Sequence, residues 1–279
     1  MDLFEPDAPW STGAAKVSVF KLYPYFVGRA PDDVLRKVFA DLRRRGIKLA
    51  LEARALSVSK GCRMVMGPNG VAVGDGGQNT INLLRRVKWL GGRVDILAMD
   101  EPVKHGAYGE PGCRTPARHL AEDVAANVRL FRAVFPEMKV GGIEPIGSWT
   151  VAPTFSDDVL SFVREYENVM GEKLAFLHAD VGWRTDWLPA VTELGARVRA
   201  VGVPFGVIYN GEDLAPTDEL WTSQAVRHFK TFEDCKRPVP DEVIFQTWRP
   251  RPTRVLPEGD PTTLAGVLKQ YLERPRCKP

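Results

Sequence analysis

The chain has 279 residues, 44% of them hydrophobic and 26% charged, and its formal net charge is +3. These are values of an ordinary globular protein, and so balanced a charge argues against a nucleic-acid-binding protein. No apolar run approaches the ~18 residues that a membrane span needs. We therefore expect neither a nucleic acid nor a membrane as a partner.

Short apolar runs alternate with amphipathic stretches along the chain, which predicts strands alternating with helices. The predicted strands are residues 16–20, 47–51, 94–99, 139–143, 174–177, 205–209 and 243–245. The predicted helices begin near residues 32, 79, 115, 156, 186, 217 and 260. Gly46 is expected to end the first of these helices, as C-terminal glycines commonly do.

An eighth strand is predicted at residues 63–66 or 71–73, although no helix separates it from the strand before it. The length is near the ~250 residues typical of a (β/α)8 barrel. Repeated strand–helix units imply parallel strands with right-handed crossovers. We predict an α/β fold, a single (β/α)8 TIM barrel over residues 1–279, with residues 1–15 as an N-terminal extension.

Functional groups of such a barrel lie at the C-terminal ends of its strands. The residues that follow or end the apolar runs are Glu52, Asp100, Glu101, Glu144, His178, Asp180, Tyr209, Asn210, Glu212, Gln246 and Trp248. The fold gathers these side chains into one cleft rich in carboxylates. Glycoside hydrolysis needs two carboxyls, one to protonate the leaving oxygen and one to attack or to activate water. Trp149, Trp183 and Trp248 offer flat faces for sugar rings, or else pack at the barrel mouth.

These strand-end motifs resemble the retaining (β/α)8 glycoside hydrolases of the clan that includes cellulases, xylanases and β-galactosidases. The resemblance implies that Asp100-Glu101-Pro102 ends the fourth strand, with Glu101 as acid/base. It implies that Glu212 is the nucleophile, and His178 and Trp248 match residues common in that clan. Asp100 departs from the usual Asn. Glu212 lies three residues past its strand, which leaves Glu144 as a rival second carboxylate.

The sequence thus predicts a glycoside hydrolase that acts on an oligo- or polysaccharide by a retaining mechanism, without metal or cofactor. The predicted substrate-binding residues are Glu52, Asp100, Trp149, His178, Asp180, Trp183, Tyr209, Asn210, Gln246 and Trp248. One alternative is a divalent-metal sugar isomerase or epimerase-like barrel with Glu52, Glu144, His178 and Asp180 as ligands. Another is a non-catalytic carbohydrate-binding barrel. His105 is predicted to be a surface residue.

Four cysteines are spread along the chain at positions 62, 113, 235 and 277. Barrel topology places Cys62 and Cys113 at the top and Cys235 and Cys277 at the bottom, so these are the pairings that keep each bridge on one face. The alternative is four free thiols. Bridges would favour a periplasmic or secreted protein, and free thiols a cytoplasmic one.

Overall fold

The computed structural model of the protein describes residues 2–57, 65–66, 72–73, 76–108, 114–147 and 154–275. The strands are β1 (Val19–Leu22), β2 (Lys48–Ala53), β3 (Val65–Met66), β4 (Ala72–Val73), β5 (Ile96–Asp100), β6 (Lys139–Ile146), β7 (Leu177–Val181), β8 (Phe205–Ile208) and β9 (Glu242–Ile244). The α-helices are α1 (Ser11–Ala14), α2 (Pro24–Arg29), α3 (Asp32–Arg45), α4 (Gly76–Trp89), α5 (Pro102–Ala107), α6 (Ala117–Arg132), α7 (Phe155–Met170), α8 (Trp187–Ala200), α9 (Asp218–Phe232) and α10 (Leu264–Glu273). A 3-10 turn covers Asp2–Phe4.

Seven strands form one parallel, curled sheet in the order β1-β2-β5-β6-β7-β8-β9. Strands β1 and β9 are the edges of this sheet, so within the described residues the sheet is a half-barrel. The predicted strand–helix alternation and parallel pairing are therefore confirmed. The predicted closure into eight strands is not.

The predicted eighth strand is not part of the large sheet. Strands β3 and β4 pair with each other in antiparallel fashion and stand apart from the large sheet. A parallel neighbour of β2 would need a crossover of a dozen or more residues, usually a helix, and the chain between β2 and β3 offers no such helix in its described part. Instead β2 pairs directly with β5. The Asp100-Glu101-Pro102 motif consequently ends the third strand of the sheet rather than the fourth.

The strand predicted over residues 174–177 lies three residues too early, because β7 runs from Leu177 to Val181. Side chains alternate between the two faces of a strand. Leu177 and Ala179 pack in the main core between sheet and helices, while His178 and Asp180 occupy the opposite, inner face of the curl. Because the polar residues of the inner face interrupt the apolar sequence, the apolar run at residues 174–177 ends where the strand begins.

Two apolar layers hold the fold together. The larger one fills the space between the sheet and its helices, and a small one lies inside the curl, formed by Ala98, Ile143, Phe176 and Ile208.

Helix α3 ends as predicted at Gly46, whose φ of 70° is left-handed and suits a residue without Cβ. Nowhere in the described part of the chain is a helix long and apolar enough to cross a membrane.

Cys235 is disulfide-bonded, which contradicts the alternative of four free thiols. The other three cysteines lie outside the described residues. The pairings Cys62–Cys113 and Cys235–Cys277 therefore stay predictions.

Candidate active site

Four carboxylates meet at the C-terminal end of the sheet, and we call Glu52, Asp100, Glu101 and Asp180 the carboxylate cluster. Glu52 lies on β2, Asp100 ends β5, Glu101 follows it, and Asp180 lies on β7. Burial raises the pKa of Glu52, Glu101 and Asp180, and their charges interact: Asp100 adds to the rise of the first two, and Glu101 and Glu52 add to that of Asp180. The sequence prediction that the strand ends bring these residues together is in accord with this geometry.

Three members of the carboxylate cluster have a cation of their own. Lys21 on β1 pairs with Glu52, and the Arg54 Nε atom lies 3.1 Å from an Asp100 carboxylate oxygen. The Lys104 Nζ atom lies 2.6 Å from Glu101 Oε2. Burial raises the pKa of Glu101, and Lys104 and Arg54 lower it in part. These ion pairs favour the charged form of each carboxylate.

Asp180 differs from the other three. Its carboxylate has neither an ion pair nor a hydrogen bond among the described residues, yet the residue is partly exposed and a ligand can reach it. Burial, then Glu101 and Glu52, raises the pKa of Asp180 well above its ordinary value, and Lys104 opposes this only in part. Asp180 is therefore the member of the cluster best suited to carry a proton near neutral pH.

Glu101 has a left-handed backbone, with φ 45° and ψ 54°. Such a conformation is costly for a residue other than glycine and persists where the surroundings enforce it, often at functional sites. The Glu101 N–H donates to the Ile143 carbonyl at 3.0 Å, and Pro102 then begins α5. The strained turn aims the Glu101 side chain, which is 11% exposed, at the cluster.

Glu144 occupies a different place from the one predicted. The residue is fully buried and lies on the helix-facing side of β6, where its carboxylate accepts N–H bonds from Val103 at 2.6 Å and Lys104 at 3.2 Å. These are free donors at the start of α5. Burial raises the pKa of Glu144, and the two backbone bonds lower it in part. Glu144 thus anchors the turn that carries Glu101 rather than facing a substrate.

Glu212 is not brought to the carboxylate cluster. Its carboxylate faces Arg227 on α9, with 3.5 Å between the charged atoms, and its backbone N–H donates to Gln224 at 3.0 Å. Among its described contacts, the Glu212 carboxylate therefore pairs with Arg227 and not with a member of the cluster. Asp180, predicted as a substrate-binding residue just past its strand, lies on β7 itself.

His178 lies on the inner face of β7, where its ring stacks on Phe176 at 3.9 Å between centroids. The Nε2 atom lies 2.6 Å from a carboxylate oxygen of Glu242, on β9. The ring reaches Glu242 across Gly206 of β8, where a Cβ would come within 2.6 Å of the His178 Cδ2 atom. Burial lowers the pKa of His178. His178 consequently ties the edge strand β9 to β7.

We expect Gly206→Ala to lower the free energy of unfolding by about 1–3 kcal/mol, because the new Cβ would also lie 3.0 Å from the Glu242 carbonyl oxygen. Urea denaturation measures this change. Gly259→Ala is the matched control, since no atom lies within 4 Å of a Cβ there. Equal stabilities of the two variants would show that the His178–Glu242 contact does not need the space at Gly206.

Three predicted substrate-binding residues are packed instead. Trp183 stacks on His228 at 4.0 Å, and its indole N–H donates to the side chain of Asn210. The hydroxyl of Tyr209, which is fully buried, donates to Glu233 at 2.9 Å. These contacts make a polar and aromatic core, and for Trp183 they favour the alternative of a packing residue.

The remaining predicted residues follow β9 or lie elsewhere. Gln246 is buried, and its Oε1 atom has no hydrogen-bond partner in the described part of the chain. Trp248 is 40% exposed and available to a ligand. The prediction for Trp149 concerns a residue outside the described ranges.

The proposed ligands of the metal-dependent alternative are not gathered. Glu144 caps α5 and His178 binds Glu242. A different trio, Asp100, Glu101 and His105, is compact enough to hold a cation. Its carboxylates, however, already pair with Arg54 and Lys104, whose positive charges oppose a metal ion. The residues present thus fit a metal poorly.

Sequence reasoning missed several members of the site. His105, predicted to be a surface residue, is partly buried: it contacts Glu101 at 3.3 Å, and burial lowers its pKa to about 4. Lys104 and Arg54 were assigned no role. A basic residue one helical turn after Glu101, as Lys104 is, could nevertheless have been predicted to pair with it. Tyr23 follows β1 directly and was overlooked because the first strand was predicted to end at Phe20.

No protein-family model and no curated protein matches the chain. Solved structures do match its fold. Xylanase 10B from Thermotoga maritima has a TM-score of 0.56 at 12% identity, with 96% of this chain and 92% of that chain covered. A psychrophilic glycoside hydrolase family 10 endo-β-1,4-xylanase has a TM-score of 0.55 at 13% identity, with 90% and 88% covered. At such identities the likeness concerns the fold, and in fold this chain resembles the (β/α)8-type glycoside hydrolases, as its strand-end motifs predicted.

Proposed function

We propose that the protein is a glycoside hydrolase in which Asp180 and Glu101 are the two catalytic carboxyls. The observation that carries the proposal is the contrast between them within one cluster. Asp180 has no cation of its own in the described part of the chain and has the more strongly raised pKa. Glu101 is paired with Lys104. Such a reaction needs two neighbouring carboxyls with different pKa values, so that one keeps its proton while the other is ionised.

In the proposed reaction, the carboxylic acid of Asp180 gives its proton to the glycosidic oxygen as the bond from that oxygen to the anomeric carbon breaks. The carboxylate of Glu101 attacks the anomeric carbon and forms a glycosyl ester. Asp180, now ionised, takes a proton from water, which displaces Glu101 and restores both groups. This is a retaining mechanism, so the first-formed product keeps the anomeric configuration of the substrate.

The substrate is proposed to be an oligo- or polysaccharide, supported by the partly exposed cluster and the exposed indole of Trp248. The test is hydrolysis of a panel of aryl glycosides and polysaccharides by the full chain, with the anomer of the product followed by proton NMR. Release of sugar with retained configuration supports the proposal. Binding without hydrolysis would favour the non-catalytic carbohydrate-binding alternative instead.

We expect Glu101→Gln to lower kcat by about 1,000-fold or more, because an amide cannot form the glycosyl ester. Steady-state kinetics on the best substrate of the panel measures the loss. Glu212→Gln is the matched control and should keep nearly full activity, because Glu212 faces Arg227 rather than the cluster. The opposite ranking of the two variants would restore Glu212 as the second carboxylate.

A further inference from the structure

The phenol of Tyr23 is a polar group for which the reaction above has no use. Tyr23 lies at the end of the edge strand β1, and its hydroxyl is buried without a hydrogen-bond partner among the described residues. A buried hydroxyl without a partner costs stability, so each such case in a folded protein calls for an explanation.

The surroundings of Tyr23 are strongly charged. The Lys21 Nζ atom lies 6.0 Å from the Tyr23 ring centroid. Burial, followed by the negative charges of Glu52, Asp180 and Asp100, raises the pKa of Tyr23 far above its ordinary value. The phenol therefore stays protonated and remains a donor, and it lies close enough to these three carboxylates for their charges to act on it.

Two of these three acceptors are already engaged. Glu52 is bound by Lys21 and Asp100 by Arg54. Asp180 is left: it has neither an ion pair nor a hydrogen bond among the described residues, and as a neutral acid it is a weaker acceptor than the carboxylate it becomes. The other charged groups that act on Asp180 are Glu101, Glu52, Lys104 and Asp213. Among them, Lys104 is the sole cation, and it is held by Glu101.

We propose that Tyr23 is a positioning residue, whose hydroxyl donates a hydrogen bond to Asp180 once that carboxyl has given up its proton. The inference rests on the proposed function, because it concerns the acid of that reaction. A hydrogen bond that forms with the charged form stabilises it and lowers its pKa. The Tyr23 hydroxyl is thus in place before negative charge develops on Asp180, as preorganised donors are in active sites.

The first test is the pH–rate profile of Tyr23→Phe in the full chain. We expect kcat to fall about 10- to 100-fold, the range of a hydrogen bond to a charged group. The basic limb of kcat/KM should move to higher pH, because Asp180 loses a donor that favours its ionised form. Tyr25→Phe is the control: Tyr25 is 60% exposed and stacks on Arg29, so neither quantity should change. If the role of Tyr23 were only structural, Tyr23→Phe would lower the free energy of unfolding without moving the basic limb of kcat/KM.

The second test does not need activity. Urea unfolding of the parent, Tyr23→Phe, Asp180→Asn and the double variant forms a thermodynamic cycle that isolates the Tyr23–Asp180 coupling. The coupling should be present above the basic limb, where Asp180 is ionised, and absent at pH 4. Identical effects of Tyr23→Phe in both backgrounds at every pH would overturn the inference. If the parent hydrolyses no glycoside but the coupling is found, the proposed function fails while the Tyr23–Asp180 contact stands.

Discussion

Asp180→Asn is expected to lose about 100-fold or more of its activity, and to be more stable than the parent at neutral pH. The loss follows because a positioned acid contributes a factor of ~10²–10⁴. The gain follows because the asparagine removes a carboxyl that has no cation of its own among the described residues and that burial and Glu101 keep from ionising easily. We expect a gain of about 0.5–2 kcal/mol, the usual size of a stabilising substitution.

The gain should depend on pH in a defined direction. Because the folded-state pKa of Asp180 is raised above its unfolded value of ~3.9, its contribution to stability is full below pH 4 and is lost as pH rises through the folded pKa. The stability of the parent should therefore fall with rising pH above 4, and Asp180→Asn should fall less. Urea denaturation from pH 4 to pH 9 measures both curves. A variant that is less stable than the parent at pH 8 would show that contacts of the ionised carboxylate, such as the proposed one with Tyr23, more than offset the cost of ionising Asp180.

Glu144→Leu is the second large effect. The leucine fills the buried space but leaves the N–H groups of Val103 and Lys104 without an acceptor. Each buried donor left without a partner costs ~1–3 kcal/mol, so we expect the free energy of unfolding to fall by about 3 kcal/mol. Activity should fall as well, because the left-handed turn at Glu101 loses its anchor. Urea unfolding and steady-state kinetics on the same preparation measure the two losses.

Glu144→Gln separates the anchoring role of Glu144 from a catalytic one. Its amide oxygen can still accept one of the two N–H bonds at the start of α5, so the loss of stability should be smaller than in Glu144→Leu and most of the activity should remain. A glutamine variant that folds like the parent but has no activity would contradict the anchoring role and return Glu144 to the reacting groups.

Much of the fold could be predicted from the apolar runs, since β5, β6, β8 and β9 lie within a few residues of their predicted positions. The errors have two causes. Polar side chains inside a barrel break the apolar run of a strand, as His178 and Asp180 do on β7. The false eighth strand arose because β3 and β4 are short runs that pair with each other, and pairing partners leave no local signal.

The site was predictable in part for the same reason. Strand-end position correctly selected Glu52, Asp100, Glu101 and Asp180 as neighbours, because parallel strands bring their C-terminal ends together. Strand-end position could not distinguish these four residues from Glu144 on β6, whose side chain faces the helices rather than the interior. Nor could it tell which carboxylates have cations, because the Lys21–Glu52 and Arg54–Asp100 pairs join different strands.

The most direct test of the two assigned roles is the dependence of each variant on the leaving group. A dinitrophenol departs without protonation, whereas a sugar alcohol needs an acid. Asp180→Asn should therefore form the glycosyl enzyme from a dinitrophenyl glycoside at nearly the parental rate in a stopped-flow burst, and fail on the natural linkage. Glu101→Gln should fail on both. The reverse pattern, with Glu101→Gln active on the dinitrophenyl glycoside and Asp180→Asn inactive on both, would contradict the account and make Glu101 the acid.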